Sequence, residues 1–115
     1  MAAKVEDQQL DALFTALSDR TRRGIVARLS TGEATVKELA EPYAMSMQAV
    51  SQHIRVLERS GLISQGRHRQ TRPCRLEPAA LEAALSWIEE SRRTWSDRMD
   101  RLETHLAGLS ERENQ

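Results

Sequence analysis

Eight apolar residues, Leu81, Leu85, Ile88, Trp95, Met99, Leu102, Leu106 and Leu109, follow a four-three step that only Arg92 interrupts. Such a step lays one apolar seam along a helix. A helix over this span is ~45 Å long at a rise of 1.5 Å per residue. A 100-residue domain is only about 26 Å across, taken as twice its radius of gyration. The seam is therefore too long to bury on the chain's own core. Either the C-terminal helices of two subunits pair, joined by the N-terminal helix, or the segment breaks near Glu90-Ser91-Arg92 and folds back. The first arrangement is the expectation, with Leu10, Leu13 and Phe14 meeting Leu85, Ile88, Trp95, Met99, Leu102 and Leu106 at a dimer interface.

The rest of the chain reads as short helices and turns. Leu10, Leu13, Phe14 and Leu17 recur at helical spacing and mark a first helix over 8–17. Ser18-Asp19 interrupts it and offers an N-cap to a second helix carrying Ile25, Val26 and Leu29, which Ser30-Thr31-Gly32 ends. Thr35-Val-Lys-Glu38 is a capping box that opens a short helix with Val36, Leu39 and Ala40 inward, closed near Pro42. Pro78 is expected at the first position of the last helix, over 78–109, and residues 110–115 as a flexible tail.

The stretch from Ser46 to Ile63 is the most informative for function. Ser46 is an N-cap candidate whose hydroxyl or backbone N–H is also a phosphate candidate, and Gly61 is a stop. Val50, Ile54 and Leu57 fall on one helical face, while Gln48, Ala49, Ser51, Gln52, Arg55 and Arg59 lie elsewhere. Amides and hydroxyls at the front with arginine behind suit the DNA major groove, where they reach base edges and phosphates. With the helix before it, this forms a helix-turn-helix over 35–60. Two short strands within 62–76 follow, around the tip Arg67-His68-Arg69-Gln70, and Pro73 places the second at a sheet edge. This hairpin is a wing whose Arg67, Arg69 and Arg72 are phosphate or minor-groove candidates. The fold class is therefore mainly α with a small two-stranded β-wing, a single winged helix-turn-helix domain over 1–109, dimeric.

Charge distribution supports this reading. The formal net charge is zero, but residues 48–76 carry six arginines against one acid, Glu58. Acidic residues outnumber basic ones on both sides of that segment. A local basic footprint in an acidic remainder fits a protein that grips a polyanion with one surface.

Other candidate sites are weaker. Arg20, Arg22 and Arg23 reach phosphates or pair on the second helix. His53 follows the apolar stripe and reads as a packed, hydrogen-bonded histidine. Cys74 is the one cysteine, so no intrachain disulfide forms and a reducing cytoplasm is the expected setting. It reads as a strand filler, with thiol sensing as the alternative. Trp87 and Trp95 read as core or interface packing. No apolar run spans a membrane and no secretory signal is visible. No nucleophile–base pair, zinc spacing or phosphate-cradling loop is present, so neither an enzyme nor a cofactor is expected.

Three segments resemble the ArsR family of bacterial winged-helix repressors. Leu17-Ser-Asp-Arg-Thr-Arg-Arg-Gly-Ile25 is similar to its L-x-D-x-T-R-x-x-I signature. Ala49-Val-Ser-Gln-His-Ile-Arg-Val-Leu-Glu-Arg-Ser-Gly-Leu62 is similar to its recognition helix, and 67–76 to its wing. The likeness covers roughly residues 8–109. It implies a homodimer that binds an inverted-repeat double-stranded DNA operator and blocks transcription. The chain lacks the Cys-x-Cys of many metal-sensing members, and a single His105 stands beside the last-helix carboxylates, so no metal site is expected. Arg20 stands where the family usually has Pro. Two alternatives are a protein-interaction module on the same scaffold and a redox- or metal-responsive repressor acting through Cys74 or His105. The small-molecule effector, if any, is not legible.

Overall fold

The computed structural model describes residues 2–66 and 72–114, with side chains described from residue 7 onward. It divides into two units, residues 1–84 and 85–115. The first holds α1 (Ala2–Leu17), α2 (Arg20–Leu29), β1 (Ala34–Thr35), α3 (Val36–Ala40), α4 (Met47–Arg59), β2 (Ile63–Gln65), β3 (Pro73–Leu76) and the start of α5 (Pro78–Glu113). The second is the remainder of α5.

Local chemistry sets the helix ends. The Asp19 carboxylate accepts from the Arg22 backbone N–H and caps α2. Thr35 and Glu38 form the expected capping box, each side chain accepting from the other's backbone N–H. The Ser46 hydroxyl accepts from the Ala49 N–H and caps α4. Gly61, with φ +86°, terminates α4 in a Schellman motif: Leu62 N–H donates to the Leu57 carbonyl and Gly61 N–H to that of Glu58. Leu57 and Leu62 are both fully buried, the apolar contact that usually accompanies this turn. A non-glycine residue at this φ would be strained.

The core gathers one or more side chains from every element of the first unit. Leu13 and Ala16 of α1, Ile25, Val26 and Leu29 of α2, and Val50, Ile54 and Leu57 of α4 join Leu39, Ile63 and Cys74. The three α4 residues are the stripe expected from sequence. Leu13 departs from its expected place. It is fully buried in the core of its own chain, so its side chain has no surface left for a second subunit. Leu10 is half-buried against the same core.

The sheet differs from the expected two-stranded wing. It has three antiparallel strands in the order β1-β3-β2, with Ala34 opposite Cys74 and Ile63 opposite Leu76. Pro73 therefore begins the central strand and does not sit on an edge strand. It is tolerated because it is the first residue of β3, where it contributes its carbonyl to the Gly66 N–H at 2.8 Å. Two-residue β1 is too short to leave a periodic signal.

The last helix runs through Glu90-Ser91-Arg92 as part of α5, so the fold-back alternative does not occur. Arg92, the break in the apolar series, donates two hydrogen bonds to Glu89 Oε2. The helix continues to Glu113, past the expected stop at 109, and α1 begins at Ala2 rather than near residue 8. No helix among the described residues is long and apolar enough to cross a membrane.

Candidate nucleic-acid interface

The candidate surface is built on α4, which is strongly two-sided. Val50, Ile54 and Leu57 anchor its inner face in the core. Gln48, Gln52 and Arg55 are exposed on the opposite side, with Ala49 and Ser51 half-buried at its margins. Arg55 Nη1 donates to Gln52 Oε1 at 3.2 Å, which orders two long side chains on the free face. Ser46 is exposed, and its hydroxyl already serves the cap. Met47, Gln48, Ser51, Gln52 and Arg55 together line one open depression.

A second depression joins this helix to the sheet. Ser51, Ile54 and Arg55 of α4 share it with Val36, Gln65 and Arg72. It brings the arginine at the base of the hairpin beside the arginine of the helix. Arg72 is exposed with φ +27°, the only described non-glycine residue in the left-handed region. Arg67 and Arg69, with the rest of the tip, lie outside the described residues. Arg75 turns instead toward Glu77, 3.7 Å away, whose carboxylate also accepts from the Ser64 hydroxyl at 2.6 Å.

Behind α4, Arg22 links three helices. Its Nε donates to the Ala16 carbonyl, near the C-terminus of α1, at 2.7 Å, and its Nη2 at 3.0 Å to the Thr15 carbonyl, which also accepts from the Ser18 N–H and hydroxyl. Its Nη1 donates to His53 Nδ1 on α4 at 3.1 Å. His53 thus accepts at Nδ1, leaving Nε2 to carry the ring hydrogen of the neutral tautomer. The Asp19 carboxylate lies 3.8 Å from the same Nδ1. The N–H of Arg22 holds the Asp19 carboxyl below its ordinary value of 3.8, with the Arg22 charge adding to that effect. Arg23 Nη1 donates to the Leu17 carbonyl at 2.8 Å. Both arginines therefore close the end of α1, a use that sequence reading did not assign. The signal was available in principle: basic side chains near a helix C-terminus serve its last carbonyls.

Gly24 has a packing reason. A Cβ there would collide with the Tyr43 hydroxyl, which itself reaches the Thr21 carbonyl at 3.5 Å. This contact seats the turn before α4 against α2.

Cys74 is fully buried in the central strand, and burial, aided by the nearby Glu58 charge, pushes its thiol up to about 11. That is the opposite of the activated thiolate a redox sensor needs. Among the described residues no three His, Cys, Asp or Glu side chains stand together as a metal site.

In the second unit, Leu85, Ile88, Trp95, Met99, Leu102, Leu106 and Leu109 are all exposed, Trp95 by 63%. On α1, Phe14 is 37% exposed.

Comparison with known proteins bears on this surface directly. A helix-turn-helix domain family matches residues 17–65, the span from the end of α1 through β2. The HTH-type transcriptional regulator Rv2034 of Mycobacterium tuberculosis is 41% identical over 73 residues, 64% of this chain and 68% of that protein. The transcriptional repressor SdpR of Bacillus subtilis is 30% identical over 79 residues, 69% of this chain and 88% of that one. A crystal structure of an ArsR family transcriptional regulator superposes with a TM-score of 0.75 at 39% identity, over 78% of this chain and 93% of that one. The chain belongs to the ArsR family. It is a winged helix-turn-helix, DNA-binding transcriptional regulator and not an enzyme. In this ArsR-type chain the matched span includes both α3 and α4.

Proposed function

We propose that the protein is a cytoplasmic repressor that binds an inverted-repeat operator in double-stranded DNA as a homodimer. The observation that carries this reading is the free polar face of α4, continuous through a shared depression with Arg72. Gln48, Ala49, Ser51, Gln52 and Arg55 read base edges in the major groove, while Ser46, Arg67, Arg69 and Arg72 hold phosphates or enter the minor groove. Phosphate contacts supply affinity, and the α4 side chains supply specificity.

The exposed apolar row of α5 supports pairing with a second copy. Seven large side chains in one helical segment exceed what scattered surface residues explain. Leu10 and Phe14 of α1 complete the proposed interface. A symmetric pair presents two α4 helices to half-sites about one helical turn, ~34 Å, apart.

Gln52→Ala and Arg55→Ala test the base-reading role. Each weakens operator binding by about 1–3 kcal/mol and leaves binding to random duplex nearly unchanged. Equal operator affinity in both variants removes their assigned role. Salt separates DNA binding from a protein-interaction module: affinity must fall steeply with salt if several arginines meet phosphates.

A further inference from the structure

We infer that Met47 is a specificity residue of this surface, reading the C5-methyl group of a thymine in each half-site. The inference rests on the proposed operator-binding role and adds a base preference to it.

Met47 is the first residue of α4 and is half-exposed, an unusual place for a large apolar side chain with no packing duty. It lines the same depression as Gln48, Ser51, Gln52 and Arg55. The spacing explains why: Met47, Ser51 and Arg55 stand at i, i+4 and i+8, one row along the helix. The row runs from apolar through hydroxyl to guanidinium. In a helix-turn-helix the N-terminal residues of the second helix reach base edges.

The chemistry of the row selects the base. A thioether on a flexible unbranched stem donates no hydrogen bond, accepts only weakly and carries no charge, so it is a poor partner for a base amino or carbonyl edge. The major-groove edge of thymine is the one natural base edge that presents a methyl group. Burying that group against Met47 removes apolar surface of both partners from water. Ala49 is half-buried and cannot offer comparable area.

The test uses the full chain and duplexes selected from a random-sequence pool. The parent is expected to select a fixed thymine in each half-site. Replacing that thymine by deoxyuridine removes only the methyl group and should weaken binding about fourfold per half-site, the worth of burying one such group. In Met47→Ala the thymine and deoxyuridine duplexes should bind equally, and Met47→Leu should retain a preference for thymine. If the parent selects a duplex but tolerates deoxyuridine everywhere, or if Met47→Ala keeps the preference, the Met47 assignment is overturned while operator binding stands. If no duplex is enriched at all, operator binding falls, and Met47 with it.

Discussion

Removing the Arg22 guanidinium is the sharpest test of how the recognition helix is held. Arg22→Ala deletes bonds to the Ala16 and Thr15 carbonyls and to His53 Nδ1. The Thr15 bond is exposed and contributes little. The other two are partly buried and charge-assisted, worth roughly 1.5–3 kcal/mol each before partial replacement by water. A loss of about 3 kcal/mol follows, or about 10 °C in melting temperature for a chain of this size. Arg22→Lys should recover less than half, because an ammonium cannot serve a carbonyl pair and an imidazole together. Thermal unfolding followed by circular dichroism, at one fixed chain concentration, reads the effect. A double-mutant cycle with His53→Ala should give a coupling of about 1 kcal/mol, the share that ties α4 to the α1–α2 junction. An Arg22→Ala melt within about 2 °C of the parent would refute the argument that this side chain joins the three helices.

Three further outcomes follow from the same structure. Gly24→Ala should displace the Tyr43 hydroxyl, and because alanine returns about 1 kcal/mol of helix propensity inside α2 the net destabilisation should be no more than about 2 kcal/mol, part of which Tyr43→Phe in the same chain should recover in a denaturant titration. Asp19 and Glu38 are both held below their ordinary values of 3.8 and 4.5, each chiefly by a backbone N–H. Their stabilisation is complete above those values and is lost as pH falls through the lower folded-state ones, so the acid limb of a pH–stability curve should be shallower in Asp19→Asn. Cys74, with its thiol pushed up to about 11 and no exposed surface, should resist thiol reagents at pH 8 until denaturant is added, and rapid labelling of the folded chain would contradict its burial.

What was legible in the sequence was encoded locally. The caps at Asp19, Thr35 with Glu38, and Ser46, and the stop at Gly61, each act within five residues, so side-chain chemistry alone placed the corresponding helix ends. The α4 stripe was legible because its hydrophobic period is undisturbed over about two turns. The parts that escaped depend on residues far apart in the chain. Arg22 meets His53 across 31 positions, and β1 exists only because β3 arrives beside it. Pro73 argued for an edge strand by a sound rule, yet the rule permits a first-residue proline in any strand. Leu13 fell on the same helical stripe as Phe14. Periodicity could not separate the fully buried residue from the one that remains 37% exposed. Met47 carried no signal until its exposure showed that no core claims it.

Two copies of the α4 face on one operator is the claim on which the account stands. Native mass spectrometry of the full chain with a selected duplex counts chains per duplex directly. The account predicts two at saturation, with specific affinity falling sharply when either half-site is scrambled. One chain per duplex at full specificity would contradict it.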